Sequence, residues 1–235
     1  MFKINILRLA RPVEVTFYTA NINAHELFPV AKATKYLPKW VSNSNHDRNV
    51  ASPVNCHGLR AMYQKGIALP LWSDVRIQLI EDSMSEKCAV KFDMANEFRS
   101  LTREEGHALD VPRKILMKAF SPWMARTDED IMFSVMENMF EPKQYPAEFV
   151  SGVETFKYQF STNFFFYLPN FPMTFQMNAG DVPIIIVPNT ERDVVVKSEY
   201  NPEMAQRLVE RFNRSPFFTN RLGRTMRRVD QISCQ

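Results

Sequence analysis

Apolar and polar residues alternate with a period of two over residues 12–19, PVEVTFYT, where Val13, Val15 and Phe17 interleave with Glu14, Thr16 and Tyr18. Successive side chains of a strand point to opposite faces, so this pattern predicts a half-buried strand. The polar triplet Asn21-Ile22-Asn23 predicts a loop, and AHELFPVAKATKYLPKW predicts short helical turns broken by Pro29 and Pro38, because proline is excluded from helix interiors. Residues 41–55 form a polar loop by composition. CHGLRAMYQKG predicts a short helix stopped at Gly66. IALPLWS and VRIQLIED then predict two strands joined at Ser73-Asp74, and KCAVKFDM a third.

From residue 111 the strand signal dominates. KILMKAF, IMFSVMENMF, FVSGVETF, YQFSTNFFFYL, MTFQMN, PIIIV and DVVVKSEY come at a spacing of about 8–15 residues, with Pro169-Asn170, Asn178-Ala179-Gly180-Asp181 and Pro188-Asn189 as punctuation. A clear helix begins only at PEMAQRLVERFN, with Asn201 as its cap, Pro202 in its first position, and an apolar face of Met204, Leu208, Val209 and Phe212. Arg207, Arg211 and Arg214 share another face. The expected fold is mainly β (α+β): an antiparallel β-sandwich or small barrel with short N-terminal helices and a C-terminal helix. Residues 1–200 form a single β-rich domain in this reading, and residues 201–235 a basic C-terminal helix and arm.

Composition narrows the chemistry. The chain has 235 residues, 45% of them hydrophobic and 23% charged, which is globular usage and excludes a disordered or collagen-like chain. Only 6 glycines accompany 19 phenylalanines and 15 prolines, so glycine-cradled phosphate sites are scarce. No stretch approaches the apolar length of a membrane span, and the first fifteen residues lack the apolar block of a secretory signal. Cys56, Cys88 and Cys234 are widely spaced and odd in number, which fits reducing cytosol rather than a disulfide framework. The net charge of +3 divides unevenly: residues 201–235 hold seven arginines against three acids, leaving the rest of the chain at −1. Such an end suits an anionic partner, with Arg221, Arg224, Arg227 and Arg228 as the anion-binding residues, and a solvated helix face with a frayed basic terminus accounts for it equally.

Dinucleotide and P-loop fingerprints are absent from the sequence, as is GxSxG. His25, His46, His57 and His107 show no metal-ligand spacing. His107 has Glu104, Glu105 and Asp110 nearby and could serve acid–base chemistry, with a solvated loop histidine as the much plainer reading. Asp128, Glu129 and Asp130 are acids in a turn that a hard cation could collect, and a soluble turn accounts for them more simply. Cys56 beside His57 could serve thiol chemistry, with a partly buried structural cysteine at a helix start as the plainer reading. The run FSTNFFFYLPNFPMTF is more unusual. Alternation separates Phe164 and Phe166 from Phe165 and Tyr167, so both faces of this strand need cover: from the core and the C-terminal helix, or from a partner. These four residues are the candidate interface. Aromatic platforms also stack bases, but no Lys or Arg interleaves the run.

Several segments together resemble a protein family. They are Lys35-Tyr36-Leu37-Pro38-Lys39-Trp40, Cys56-His57-Gly58-Leu59, GIALPLWSD from Gly66 to Asp74, Ser121-Pro122-Trp123, Ser151-Gly152-Val153-Glu154, and Ala179-Gly180-Asp181 with Pro183 just beyond. In this order they resemble a family, with no established activity, that is widespread in marine tailed bacteriophages. The resemblance covers roughly residues 35–190 and implies a phage gene product in the host cytoplasm or the virion. A fainter likeness is to the deoxyuridine triphosphatase and deoxycytidine triphosphate deaminase barrels, carried by Gly152 and Gly180-Asp181, 28 positions apart. The acid after Gly152 is Glu154 rather than an aspartate, and the serine-rich phosphate motif of those enzymes is missing.

The expected function is therefore assembly or protein interaction without catalysis, with other phage proteins or further copies of the chain as partners. No cofactor, metal or membrane is called for. Two alternatives stand: a nucleotide-binding or nucleotide-hydrolysing barrel using Glu154 and Asp181, and nucleic-acid binding through the arginine-rich tail.

Overall fold

The alternation at residues 13–19 becomes strand β1 (Val13–Thr19), whose Val13, Val15 and Phe17 are fully buried while Glu14 is exposed. A computed structural model describes residues 11–36, 56–83, 86–93, 98–101, 109, 111–138 and 145–214, without the side chains of His57 and of residues 212–214. Within them β1 is the centre of a three-stranded sheet, parallel to β15 (Val194–Tyr200) and antiparallel to β8 (Trp123–Arg126). The β1–β15 pairing runs in register from Val13–Val194 to Thr19–Tyr200, so strands at opposite ends of the described chain lie side by side.

Three further sheets complete the β structure. One orders β10 (Glu148–Phe149), β12 (Phe164–Pro169), β7 (Lys114–Ala119) and β6 (Phe98–Ser100). Another orders β11 (Gly152–Glu154), β9 (Phe133–Glu137), β14 (Ile184–Pro188), β3 (Ile67–Leu69) and β2 (Ala31–Lys32). The last orders β13 (Met173–Met177), β4 (Val75–Ile80) and β5 (Ala89–Phe92). The fold is mainly β, an α+β sandwich in which the pairings other than β1–β15 are antiparallel, and among the described residues no sheet closes into a barrel. IALPLWS and VRIQLIED do supply strands, but β3 and β4 belong to different sheets, so Ser73-Asp74 is a crossing between layers.

One apolar cluster draws side chains from all four sheets. Phe17, Phe98, Trp123, Phe133, Phe156 and Phe166 are its fully buried aromatic members, and Phe133 and Phe156 pack at 4.7 Å between ring centroids. Each such ring contributes roughly 1.5–3 kcal/mol through the apolar surface it removes from water. The isoleucine run of β14 is buried on both faces. Ile184 and Ile186 enter the main cluster, while Ile185 joins Ala68, Met62 and Tyr63 in a second cluster under a helix.

Three α-helices are described. α1 (Ile22–Leu27) begins where the sequence suggested a loop, because the Asn21 side chain accepts a hydrogen bond from the Ala24 N–H and caps it. α2 (His57–Lys65) ends at Gly66 as expected, but Gly66 has an ordinary extended backbone. Glycine is needed there for space: a β-carbon would lie 2.3 Å from the Met62 carbonyl oxygen and 2.7 Å from Ile185 Cγ2. α3 (Pro202–Arg214) is capped by Asn201, whose side chain accepts from the Met204 N–H at 3.0 Å. Among its described side chains Ala205 and Leu208 are buried, and they seat it on β1 and β8 rather than over β12. The aromatic strand is therefore not covered by this helix. Among the described residues no helix is long and apolar enough to cross a membrane.

Candidate functional site

Strand β12 splits its aromatics as alternation predicts. Phe164 and Phe166 are 2% and 0% exposed and lie in the core, where Phe149 packs against both at 5.7 and 5.6 Å. Phe165 and Tyr167 are half-buried on the opposite face. Of the four candidate interface residues, only these two can meet a partner.

Register decides what surrounds them. Phe165 stands opposite Lys118 of β7, and Lys118 stands opposite Arg99 of β6. Side chains directly across a sheet share a face, so one row reads Arg99, Lys118, Phe165. The Lys118 ammonium lies 5.6 Å from the Phe165 ring centroid and 5.0 Å from that of Phe120, and the Arg99 guanidinium lies 5.7 Å from Phe120. The next row holds Leu116, Tyr167 and Glu148. Lys114, four residues before Lys118 and on the same face, sits 5.6 Å from the Tyr167 ring and 2.5 Å from Glu148 Oε2. The Tyr167 hydroxyl donates to the Leu109 carbonyl at 2.7 Å. Among the described residues, three rings and three cations thus share one face with a single carboxylate in their midst. The cations that the run 160–175 lacks are supplied by its neighbours in the sheet.

The other candidates are placed differently. Arg221, Arg224, Arg227 and Arg228 lie outside the described residues, as do His46, His107, Glu104, Glu105, Asp110 and Cys234. Arg207 is exposed beside Glu203 at 3.9 Å, and Arg211 lies 5.3 Å from the Phe160 ring. Two of the three acids of the 126–130 turn are engaged by arginines: Asp128 by Arg126 at 3.4 Å and Glu129 by Arg192 at 2.9 Å. Among the described residues no three His, Cys, Asp or Glu side chains gather as a metal site. Cys56 is exposed at the start of α2, not partly buried. The imidazole of His25 packs 6.5 Å from both Trp123 and Tyr200, and its Nδ1 and Trp123 Nε1 are both buried without a hydrogen-bond partner among the described residues.

Glu154 and Asp181 do not meet. Glu154 pairs with Phe133 at one end of β9, whereas Asp181 precedes Ile184, which pairs with Glu137 at the other end. The length of β9 alone separates them by roughly 13 Å. Burial pushes the Glu154 carboxyl up to about 7. Asp181 is a turn residue: its carboxylate accepts from the Asn178 N–H at 3.0 Å and its carbonyl from the Leu71 N–H at 2.8 Å. Gly180, in the left-handed region at φ 89°, donates back to the Leu71 carbonyl at 2.8 Å, and Asp74 accepts from the Ala179 N–H at 2.8 Å. Two of the motifs that carry the family resemblance, 66–74 and 179–181, are thus clasped in one corner. Ser121-Pro122-Trp123 is likewise structural, since Ser121 Oγ accepts from the Trp123 N–H at 3.2 Å and lies 2.8 Å from the Thr162 hydroxyl.

No protein-family model matches the chain, and no curated protein matches it significantly.

Proposed function

We propose that this protein works by binding rather than by catalysis, as an assembly or interaction component of a tailed bacteriophage, and that the outer face of the β10-β12-β7-β6 sheet receives its partner. The observation that carries the proposal is the concentration of Phe120, Phe165 and Tyr167 with Arg99, Lys114 and Lys118 on that face. Exposed cation–ring pairs stabilise a fold by only about 0.5–1 kcal/mol each, so such a surface contributes little to folding for the aromatic area it spends. Its aromatic rings and Arg99 are of the residue types enriched where proteins touch partners. The resemblance to phage proteins supports the biological setting, and its clasped motifs have a structural use that needs no catalytic one.

The test is to size the purified full-length chain by light scattering and to search purified virions for it by mass spectrometry. Association or virion content that is lost with Lys118→Glu is the expected result. A strict monomer that is absent from virions overturns the proposal.

A further inference from the structure

The chemistry of this face also specifies what it binds. We infer that the outer face of the β10-β12-β7-β6 sheet is a binding surface for single-stranded nucleic acid, with bases stacked on Phe165 and Tyr167 and phosphates held by Arg99, Lys114 and Lys118. The inference rests on the preceding proposal that this face is a binding face, and it names the partner.

Three observations converge. Phe165 and Tyr167 are two residues apart on one strand and point to the same side, so the backbone positions that carry their rings stand about 7 Å apart. That spacing leaves room for one base on each ring. Aromatic side chains stack any base, because every base has a π-face. Lys118 stands across from Phe165 and Lys114 beside Tyr167, with Arg99 one strand further out. A backbone crossing the two rings would therefore have a cation within reach at each step. Arg99, Lys114 and Lys118 line the face together with the two rings, and cations interleaved with rings suit a polyanion that carries bases.

A duplex offers no unstacked base to these rings, which separates the two nucleic-acid forms. Lys114 already holds Glu148, and the rings already hold Lys118 and Arg99. These contacts hold the Lys114 and Lys118 ammonium groups beside the Tyr167 and Phe165 rings in the unbound chain.

The experiment is fluorescence anisotropy of the full-length chain with labelled oligo-dT of about twenty nucleotides and with a duplex of equal length. The expected result is preference for the single strand and a log–log salt slope near −2, from about 0.7 for each of three phosphate contacts. Phe165→Ala and Tyr167→Ala should each weaken binding by about tenfold. Lys118→Gln, a surface change that spares the core, should lower the slope by about 0.7. Substitution of Arg221, Arg224, Arg227 and Arg228 together by Gln should leave the ring dependence intact. Binding that follows only those tail arginines, or that favours duplex, overturns the inference. If no oligonucleotide binds but Phe165→Ala dissolves self-association seen by light scattering, the nucleic-acid inference fails and the binding face stands. If neither response appears, both fail.

Discussion

Lys118 and Phe165 face each other directly across β7 and β12, with the ammonium nitrogen 5.6 Å from the ring centroid. One residue further along β12, Phe166 is fully buried in the core. Adjacent phenylalanines therefore have opposite duties. Phe166→Ala should cost about 3–5 kcal/mol through lost burial and a cavity. Phe165→Ala should cost no more than about 1–2 kcal/mol, and its coupling to Lys118→Ala in a double-mutant cycle should be about 0.5–1 kcal/mol. Urea denaturation of the four variants measures all three quantities, and equal costs for the two phenylalanines would refute the assignment of faces.

The Glu154 carboxyl, raised by burial from its ordinary value of 4.5 to about 7, makes stability depend on pH with an unusual sign for an acid. Between those values the folded chain binds more protons than the unfolded one, so stability falls as pH rises. The penalty is absent below pH 4.5 and complete above about 7, reaching at most about 3 kcal/mol. Glu154→Gln should remove it. The variant should melt higher than the parent at pH 8 and show no such advantage at pH 4. Thermal unfolding at the two pH values is sufficient, and a variant that gains nothing at pH 8 would count against the buried carboxylate.

Two glycines should respond in opposite ways to one added methyl group. At Gly66 the new β-carbon would meet the Met62 carbonyl oxygen at 2.3 Å and Ile185 Cγ2 at 2.7 Å, both held by the helix and the buried sheet. Gly66→Ala should therefore destabilise by about 2 kcal/mol or more. At Gly152 a β-carbon meets nothing within 4 Å, and alanine there should be neutral or stabilise by a few tenths up to about 1 kcal/mol by restricting the unfolded chain. Chemical denaturation midpoints of the two variants provide the comparison.

Ser121 serves the backbone beside a fully buried tryptophan. Its hydroxyl accepts from the Trp123 N–H, and it contacts Thr162, whose own hydroxyl donates to the Trp123 carbonyl at 2.7 Å. Ser121→Ala takes away an acceptor in a region closed to water and should cost about 1–3 kcal/mol. Faster amide exchange at Trp123 in the variant would locate the loss; unchanged exchange and unchanged stability would show that the hydroxyl is dispensable.

What the sequence made readable was local. The alternation of Val13, Val15 and Phe17, the split of Phe164 and Phe166 from their neighbours, and the Asn201 cap of α3 each depend on residues a few positions apart. The loop expected at Asn21-Ile22-Asn23 failed for the same local reason: an Asn suits a turn and a helix cap equally, and the residues after it make the choice. The partners of strands could not be read. β1 takes β15, and β12 takes β7, because their buried faces complete one shared core, a condition written in no single strand. The cationic character of the aromatic face was hidden in this way. Along residues 160–175 the strand itself carries no Lys or Arg, and only cross-strand register brings Lys118, Lys114 and Arg99 beside it. A period-two pattern of Lys114, Leu116 and Lys118 on β7 was the available signal, but its meaning depends on the neighbour it pairs with.

The parallel pairing of β1 with β15 has a mechanical consequence. The chain enters β1 at Val13 and leaves β15 at Tyr200, which lie at opposite ends of the same seven-residue ladder. Tension applied between the segments flanking these strands drags them past each other lengthwise. The whole row of backbone hydrogen bonds is then loaded together, in shear, instead of being peeled one at a time. A molecule tethered through those flanking segments would resist extension through that seam.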